Sequence, residues 1–141
     1  MANKLQFKII TPEKTVYSDE IDSITLPTED GEITILPGHI PLVAPTKPGE
    51  IMIKKDDKVH HMVVMRGFVE TSEDKVRLLA DAAELAEEVD ERRAEEAKKR
   101  AEQAKAESKD KIQFADASAA LERALVRLKV ARRHRRHPQT M

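Results

Sequence analysis

Apolar and polar residues alternate over most of the first 83 residues, and this alternation predicts β-strands. Leu5, Phe7 and Ile9 would lie on one side of an extended chain, with the residues between them on the other. Similar runs occur at Ile24–Leu26, Ile33–Ile35, Ile51–Ile53, Val59–Met65, Phe68–Val69 and Val76–Leu79. All four glycines and six of the seven prolines lie in this part and separate the runs. Many short strands joined by close turns predict an antiparallel β-sandwich.

The second part of the chain follows a helical pattern instead. No glycine occurs after Gly67, and alanine and charged residues become frequent. Small apolar residues recur at intervals of three and four along two segments: Ala94, Ala97, Ala101 and Ala104, then Ala117, Leu121, Ala124, Leu128 and Ala131. We expect an antiparallel two-helix hairpin, in which Asp90 caps the first helix and Ser108 or Asp110 caps the second.

These patterns predict an α+β chain in two modules, a β-sandwich over residues 1–84 and a helical hairpin over residues 85–141. Their charges differ. Residues 1–84 hold 10 Lys and Arg against 15 Asp and Glu, a net charge of −5, whereas residues 85–141 hold 15 against 11, a net charge of +4. This asymmetry suggests two modules with different partners, although the whole chain carries only −1.

Several classes of protein are disfavoured by the composition. The chain has no cysteine, so disulfides and thiolate metal sites are excluded. No apolar run approaches the ~18 residues that a membrane span requires, and no signal peptide is predicted. A glycine-rich phosphate loop, a metal-ligand cluster and a nucleophile motif are also missing, so we expect neither an enzyme nor a metal site. His39, between Pro37 and Pro41, is interpreted as structural.

Arginines of the two predicted helices form a candidate anion site. Asp90 and Arg93 are neighbours on one face, and Arg100 lies two turns beyond Arg93. Arg123 and Arg127 are one turn apart on the second helix. Folding the hairpin could bring these guanidinium groups together, which would be costly unless an anion joined them, and phosphate suits their fork geometry. For any single one of them, solvated surface charge remains the alternative.

Three segments in order resemble the epsilon-subunit family of the F-type ATP synthase, and the resemblance covers essentially the whole chain. The first is the opening Phe7–Tyr17, FKIITPEKTVY, followed by GEITILPGHIPLV at Gly31–Val43. The second is Asp81–Glu84 before the start of the first helix, and the third is ALERA at Ala120–Ala124. The resemblance implies a non-catalytic subunit of the central stalk, bound to the gamma subunit and the c-ring. Its expected location is the cytoplasmic side of the cell membrane, as a peripheral protein.

The resemblance also implies regulation by the hairpin. In bacterial members the hairpin can extend toward the alpha and beta subunits and block ATP hydrolysis, and some members bind ATP at an Ile/Leu-Asp-x-x-Arg-Ala motif that favours the folded hairpin. Here that motif is VDERRA, Val89–Ala94, with valine at its first position. The implied ATP-binding residues are Glu84, Val89, Asp90, Arg93, Ala94, Arg100, Arg123 and Arg127. Whether magnesium takes part is left open.

A run of basic residues ends the second helix. It comprises Arg123, Arg127, Lys129, Arg132, Arg133, Arg135 and Arg136, with Glu122 the only acidic residue beside them. We expect this positive face to seek an acidic surface of the alpha and beta subunits. The alternative is a non-enzymatic module whose basic hairpin binds nucleic acid. The scarcity of aromatic residues argues against base stacking, since Phe114 is the only one after residue 84.

Overall fold

The computed structural model describes residues 3–136 as a β domain followed by two helices. The strands are β1 (Leu5–Ile10), β2 (Thr15–Ile21), β3 (Ser23–Thr28), β4 (Gly31–Ile35), β5 (Leu42–Thr46), β6 (Gly49–Lys55), β7 (Lys58–Val64), β8 (Gly67–Ser72), β9 (Lys75–Ala80) and β10 (Ala83–Leu85). A 3₁₀ turn at Ala86–Glu88 leads into α1 (Glu91–Ala106) and α2 (Lys111–Arg136). The predicted β-sandwich followed by a helical hairpin is confirmed.

The strands form one curled sheet in the order β10-β7-β6-β3-β5-β8-β9-β1-β2, with β4 paired to β3. Every pair is antiparallel except β1 with β9. The sheet folds back so that β2 meets β6, where Lys55 Nζ lies 2.5 Å from Asp19 Oδ2. Between its two layers lies a core of aliphatic side chains around Phe7, which explains how residues 3–85 bury enough apolar surface to fold.

Three strands were not predicted, and each has a reason. β2 is mostly exposed or half-buried, so its sequence lacks a clear alternation. β5 contains Pro45, which has no N–H for the sheet. Its carbonyl oxygen nevertheless accepts a hydrogen bond from the Glu29 N–H at 3.2 Å. β10 has only three residues and exists because it pairs with β7.

Capping side chains begin both helices. The Arg93 N–H donates to Asp90 Oδ1 at 3.2 Å, which confirms Asp90 as the cap of α1. The Gln113 N–H donates to Asp110 Oδ1 at 2.8 Å, so Asp110 rather than Ser108 caps α2. Ser108 instead donates its hydroxyl to the Lys105 carbonyl oxygen at 2.8 Å.

The alanine seam between the helices forms over most of its predicted length. Its buried members are Ala94 and Ala101 on α1 and Ala117, Ala124, Leu128 and Ala131 on α2. Ala104 is exposed, because at the tip of the hairpin α1 turns Lys105 toward α2. Lys105 Nζ lies 5.0 Å from the centre of the Phe114 ring. Only small side chains meet along most of the seam, so the two helices bury little apolar area against each other.

Candidate functional site

A cleft of about 610 Å³ opens where α1, α2 and the end of β10 meet. Both helices and the junction before them contribute side chains. The lining residues are Glu84, Glu88, Val89, Asp90, Arg93, Ala94, Glu96, Ala97, Arg100, Ala124 and Arg127. Because Ala94, Ala97 and Ala124 are small, the helices leave room between them at this level. The cleft exists only while the hairpin is folded, since neither helix encloses it alone.

Seven of the eight residues named from the sequence line this cleft, and Arg123 does not. Arg123 precedes Arg127 by four residues, a full helical turn plus about 40°. It therefore lies one turn nearer the tip of the hairpin, where its side chain is exposed. Sequence reasoning missed Glu88 and Glu96 as lining residues. Every turn of this segment carries an acidic residue, so the sequence does not distinguish these two glutamates from the others.

The charges in the cleft are of both signs. Arg127 Nε donates to Glu84 Oε1 at 2.6 Å, which ties α2 to β10. Asp90 is occupied by the cap of α1. Within the described residues, Arg93 and Arg100 have no acidic partner within 4.0 Å. Two guanidinium groups thus face the cleft with donors available for an anion, beside carboxylates that can accept from hydroxyl or amino groups.

Several basic residues of α2 are paired with carboxylates of other elements: Arg127 with β10, Arg132 and Arg135 with α1, and Arg133 with β6. Arg132 pairs with Glu91 and Glu95 of α1 at 3.0 and 2.9 Å, and Arg135 pairs with Glu91 at 3.0 Å. Arg133 pairs with Glu50 of β6. Glu122 is the only acidic residue beside these cations in sequence, and their other acidic partners are remote in sequence.

Arg123 and Lys129 have no such partner among the described residues, and the side chain of Arg136 lies outside them. Pairing within the chain also removes the continuous row of cations that nucleic-acid binding would use.

Glu50 joins β6 to two partners. His61 of β7 lies with Nδ1 3.2 Å from Glu50 Oε1, and both side chains are only about 15% exposed. Burial holds the pKa of His61 below its ordinary value. His61 and Glu50 form a pair, and among residues 3–136 no group of three or more potential metal ligands comes together.

Two family models together match residues 4–132. Residues 4–86 match the model described as ATP synthase, Delta/Epsilon chain, beta-sandwich domain. Residues 87–132 match the model described as ATP synthase, Delta/Epsilon chain, long alpha-helix domain. The junction between the two matches falls within the 3₁₀ turn that leads from β10 to α1.

Relatives of similar length are found among bacterial proteins. The chain is 43% identical over 131 residues to the ATP synthase epsilon chain of Syntrophobacter fumaroxidans, which covers 93% of this chain and 98% of that protein. It is 45% identical over 137 residues to the ATP synthase epsilon chain of Dehalococcoides mccartyi, covering 96% and 98%.

Solved structures show the same fold. A chain in the cryo-EM structure of the Euglena gracilis mitochondrial ATP synthase aligns with a TM-score of 0.78 at 24% identity, covering 91% of this chain and 81% of that chain. A chain of the Tetrahymena thermophila mitochondrial ATP synthase, in a structure of its central stalk and c-ring, aligns with a TM-score of 0.65 at 16% identity, covering 92% and 97%. Neither helix of the described part of this chain is long and apolar enough to cross a membrane.

Proposed function

The chain belongs to the ATP synthase delta/epsilon chain family, and from this premise we propose that it is the non-catalytic epsilon subunit of an F-type ATP synthase. In this role it lies in the central stalk, binds the gamma subunit and the c-ring, and helps couple proton flow to rotation. It is held at the cytoplasmic side of the membrane as a peripheral component of that complex.

An apolar strip on the outside of the sheet supports assembly through the β domain. Pro45, Phe68, Leu79 and Ile10 lie directly opposite one another across β5, β8, β9 and β1. Phe68 is 54% exposed, and in the loop beyond this sheet Ile40 is 75% exposed. Exposed apolar groups gathered in this way are typical of a protein-binding surface. We assign this surface to the contact with the gamma subunit and the c-ring.

The cleft between the helices is assigned to ATP, and its composition carries this part of the proposal. Arg93 and Arg100 of α1 and Arg127 of α2 provide donors for phosphates, while Glu84 and Glu88 provide acceptors for the nucleoside. Donors come from both helices, so bound ATP stabilises the folded hairpin over any state in which the helices separate. ATP is a regulatory ligand here and is not a substrate of this chain.

Inhibition is assigned to the released hairpin. The alanine seam makes separation of the helices inexpensive, because little apolar area is exposed. Separation of the helices frees Arg132 and Arg135 from the carboxylates of α1, and departure of α2 from the sheet frees Arg127 and Arg133. The extended hairpin then presents these cations to the alpha and beta subunits and slows ATP hydrolysis.

Calorimetric titration of the purified chain with ATP tests the nucleotide site. We expect saturable binding of one ATP per chain, accompanied by slower amide hydrogen exchange in α1 and α2 and unchanged exchange in β1 and β9. GTP and inorganic triphosphate, titrated under the same conditions, separate recognition of the base from attraction of any polyphosphate. No heat and no change in exchange at millimolar ATP would refute the nucleotide site.

A further inference from the structure

A row of three side chains on the outer face of the sheet matches three side chains of α2. Glu84 of β10, Val63 of β7 and Glu50 of β6 lie directly opposite one another across the three strands. α2 meets this row with Arg127 on Glu84, Val130 against Val63, and Arg133 on Glu50. Each acidic residue of this row therefore faces an arginine of α2, and the valine between them faces an apolar side of the helix.

The spacing of the helix fits the spacing of the strands. Six residues of α-helix rise about 9 Å. Two steps between neighbouring strands span about 9.5 Å. Arg127 and Arg133 are six residues apart, and Glu84 and Glu50 are two strands apart, so both ion pairs form at once. A helix shifted by one turn along the sheet would lose at least one of them.

The apolar contact between α2 and the sheet is small. Its buried cluster consists of Val63, Met65, Ala86 and Val130, with the partly buried Ala82, Val89 and Val126 packed against it. Ion pairs add to this contact: Arg66, between β7 and β8, lies 3.8 Å from Glu122 of α2, and two shorter pairs form at the ends of the contact. One of them, Arg127 with Glu84, lies in the nucleotide cleft, where a bound anion competes for the guanidinium group. The other, Arg133 with Glu50, lies outside that cleft.

Glu50 is held in a position that favours its ion pair with Arg133. It follows Gly49, where a Cβ atom would lie 2.8 Å from Pro27 Cγ, so glycine lets β6 start close against β3. His61 lies beside its carboxylate, and the side chain of Glu50 is only 15% exposed. Arg133 is 50% exposed, so the pair is only partly shielded from solvent, and its attraction is screened less than that of a fully exposed pair.

We propose that the Glu50–Arg133 pair is a latch that keeps the hairpin docked on the β domain independently of the nucleotide cleft. With the latch closed, α2 stays on β6 and β7 whether or not Arg127 is engaged by ATP. Opening it is a separate step that must precede extension of the hairpin. The proposal deepens the regulatory role proposed above, and rests on it only for the effect in the assembled enzyme.

The test uses the isolated chain without nucleotide. Because the chain has no native cysteine, an introduced cysteine can be labelled specifically. Spin labels on Lys58→Cys, at the start of β7, and Lys109→Cys, between the helices, report the distance from the β domain to the tip of the hairpin. We expect Glu50→Gln and Arg133→Gln each to raise the ratio of undocked to docked hairpin by about threefold to tenfold. The matched control is Lys129→Gln, which removes a cation one turn earlier on α2 and should leave the ratio unchanged. Exchanging the pair, Glu50→Arg with Arg133→Glu, should restore docking.

Unchanged docking in both single variants, or equal release in Lys129→Gln, would overturn the latch. If the exchanged pair does not fold, the double variant Glu50→Gln with Arg133→Gln decides the question. If the ratio of undocked to docked hairpin in the double variant is no greater than in either single variant, the two residues form a direct pair. If the free-energy effects of the two single variants add in the double variant, the latch is overturned. Because the measurement uses no ATP, failure of the nucleotide site would show in the ATP titration alone and would leave this result standing.

Discussion

Arg127 Nε donates to Glu84 Oε1 at 2.6 Å, and this bond joins the second helix to the last strand of the sheet within the candidate nucleotide cleft. The same guanidinium group therefore serves the docking of the hairpin and lines the cleft. A ligand that engages Arg127 must either displace Glu84 or share the arginine with it. Arg93 and Arg100 have no acidic partner among the described residues, so mutating them tests ligand binding without breaking an ion pair.

Replacing Arg93 by alanine should weaken ATP binding by about 1.5–3 kcal/mol, the usual worth of a hydrogen bond to a charged group. Arg93 lines the cleft, whereas its neighbour Arg92 points to Glu96 at 3.5 Å and does not. Arg92→Ala is therefore the matched control and should keep the ATP affinity of the parent. Calorimetry on the three proteins decides the question, and equal affinities for Arg93→Ala and the parent would remove Arg93 from the site.

Asp90 has a structural role that can be separated from any role in the cleft. Asp90→Ala should lower the stability of the hairpin by about 1 kcal/mol, because the Arg93 N–H loses its side-chain acceptor. Asp90→Asn keeps a good capping side chain and should leave stability nearly unchanged while removing the charge. Helical circular dichroism during urea unfolding measures both. Equal destabilisation by alanine and asparagine would mean that charge, not capping, is what Asp90 contributes.

Local sequence patterns predicted both helices and most of the strands, but they could not predict contacts between residues far apart in the sequence. The spacing of Ala94 and Ala101 correctly predicted the packed face of α1. The same spacing placed Ala104 in the seam, which the structure leaves exposed. Nothing near Arg133 in the sequence indicates Glu50 as its partner, since the two are 83 residues apart.

The candidate cleft shows the same division between local and remote information. Of the eight residues implied by the motif around Asp90 and by the family resemblance, seven line one cleft. The distribution of basic residues around α2 could not be inferred in the same way. It depends on which side of α2 meets α1 and which side meets the sheet, where Val130 shares a buried cluster with Val63.

His61 offers a pH-dependent test of the contact at Glu50. Burial keeps its pKa below the unfolded value of about 6.5. The unfolded chain therefore takes up a proton that the folded chain does not, and the stability contributed by neutral His61 falls as pH drops below about 6.5. In Arg133→Gln, the charge of Glu50 is left for His61 alone, so the pKa of His61 should rise. NMR titration of the imidazole measures it, with Lys129→Gln as the control that should match the parent.

The proposed inhibition of ATP hydrolysis has two steps, release of the hairpin and binding of the released helix to the alpha and beta subunits. Arg132 and Arg135 bind carboxylates of α1, so replacing them both loosens the folded hairpin and weakens the extended one. Arg123 and Lys129 have no acidic partner within 4.0 Å among the described residues. Replacing both by glutamine should therefore leave the folded hairpin unchanged and remove cations available only to the alpha and beta subunits.

We expect the assembled complex carrying Arg123→Gln and Lys129→Gln to hydrolyse ATP faster than the parent complex. The label distance between residues 58 and 109 in the isolated variant should match the parent, showing that release of the hairpin is unaltered. Salt should narrow the difference between the two complexes, because screening weakens attraction between exposed charges. If hydrolysis stays as low as in the parent at every salt concentration, these cations do not hold the rotor, and inhibition must arise from the paired arginines or from the β domain.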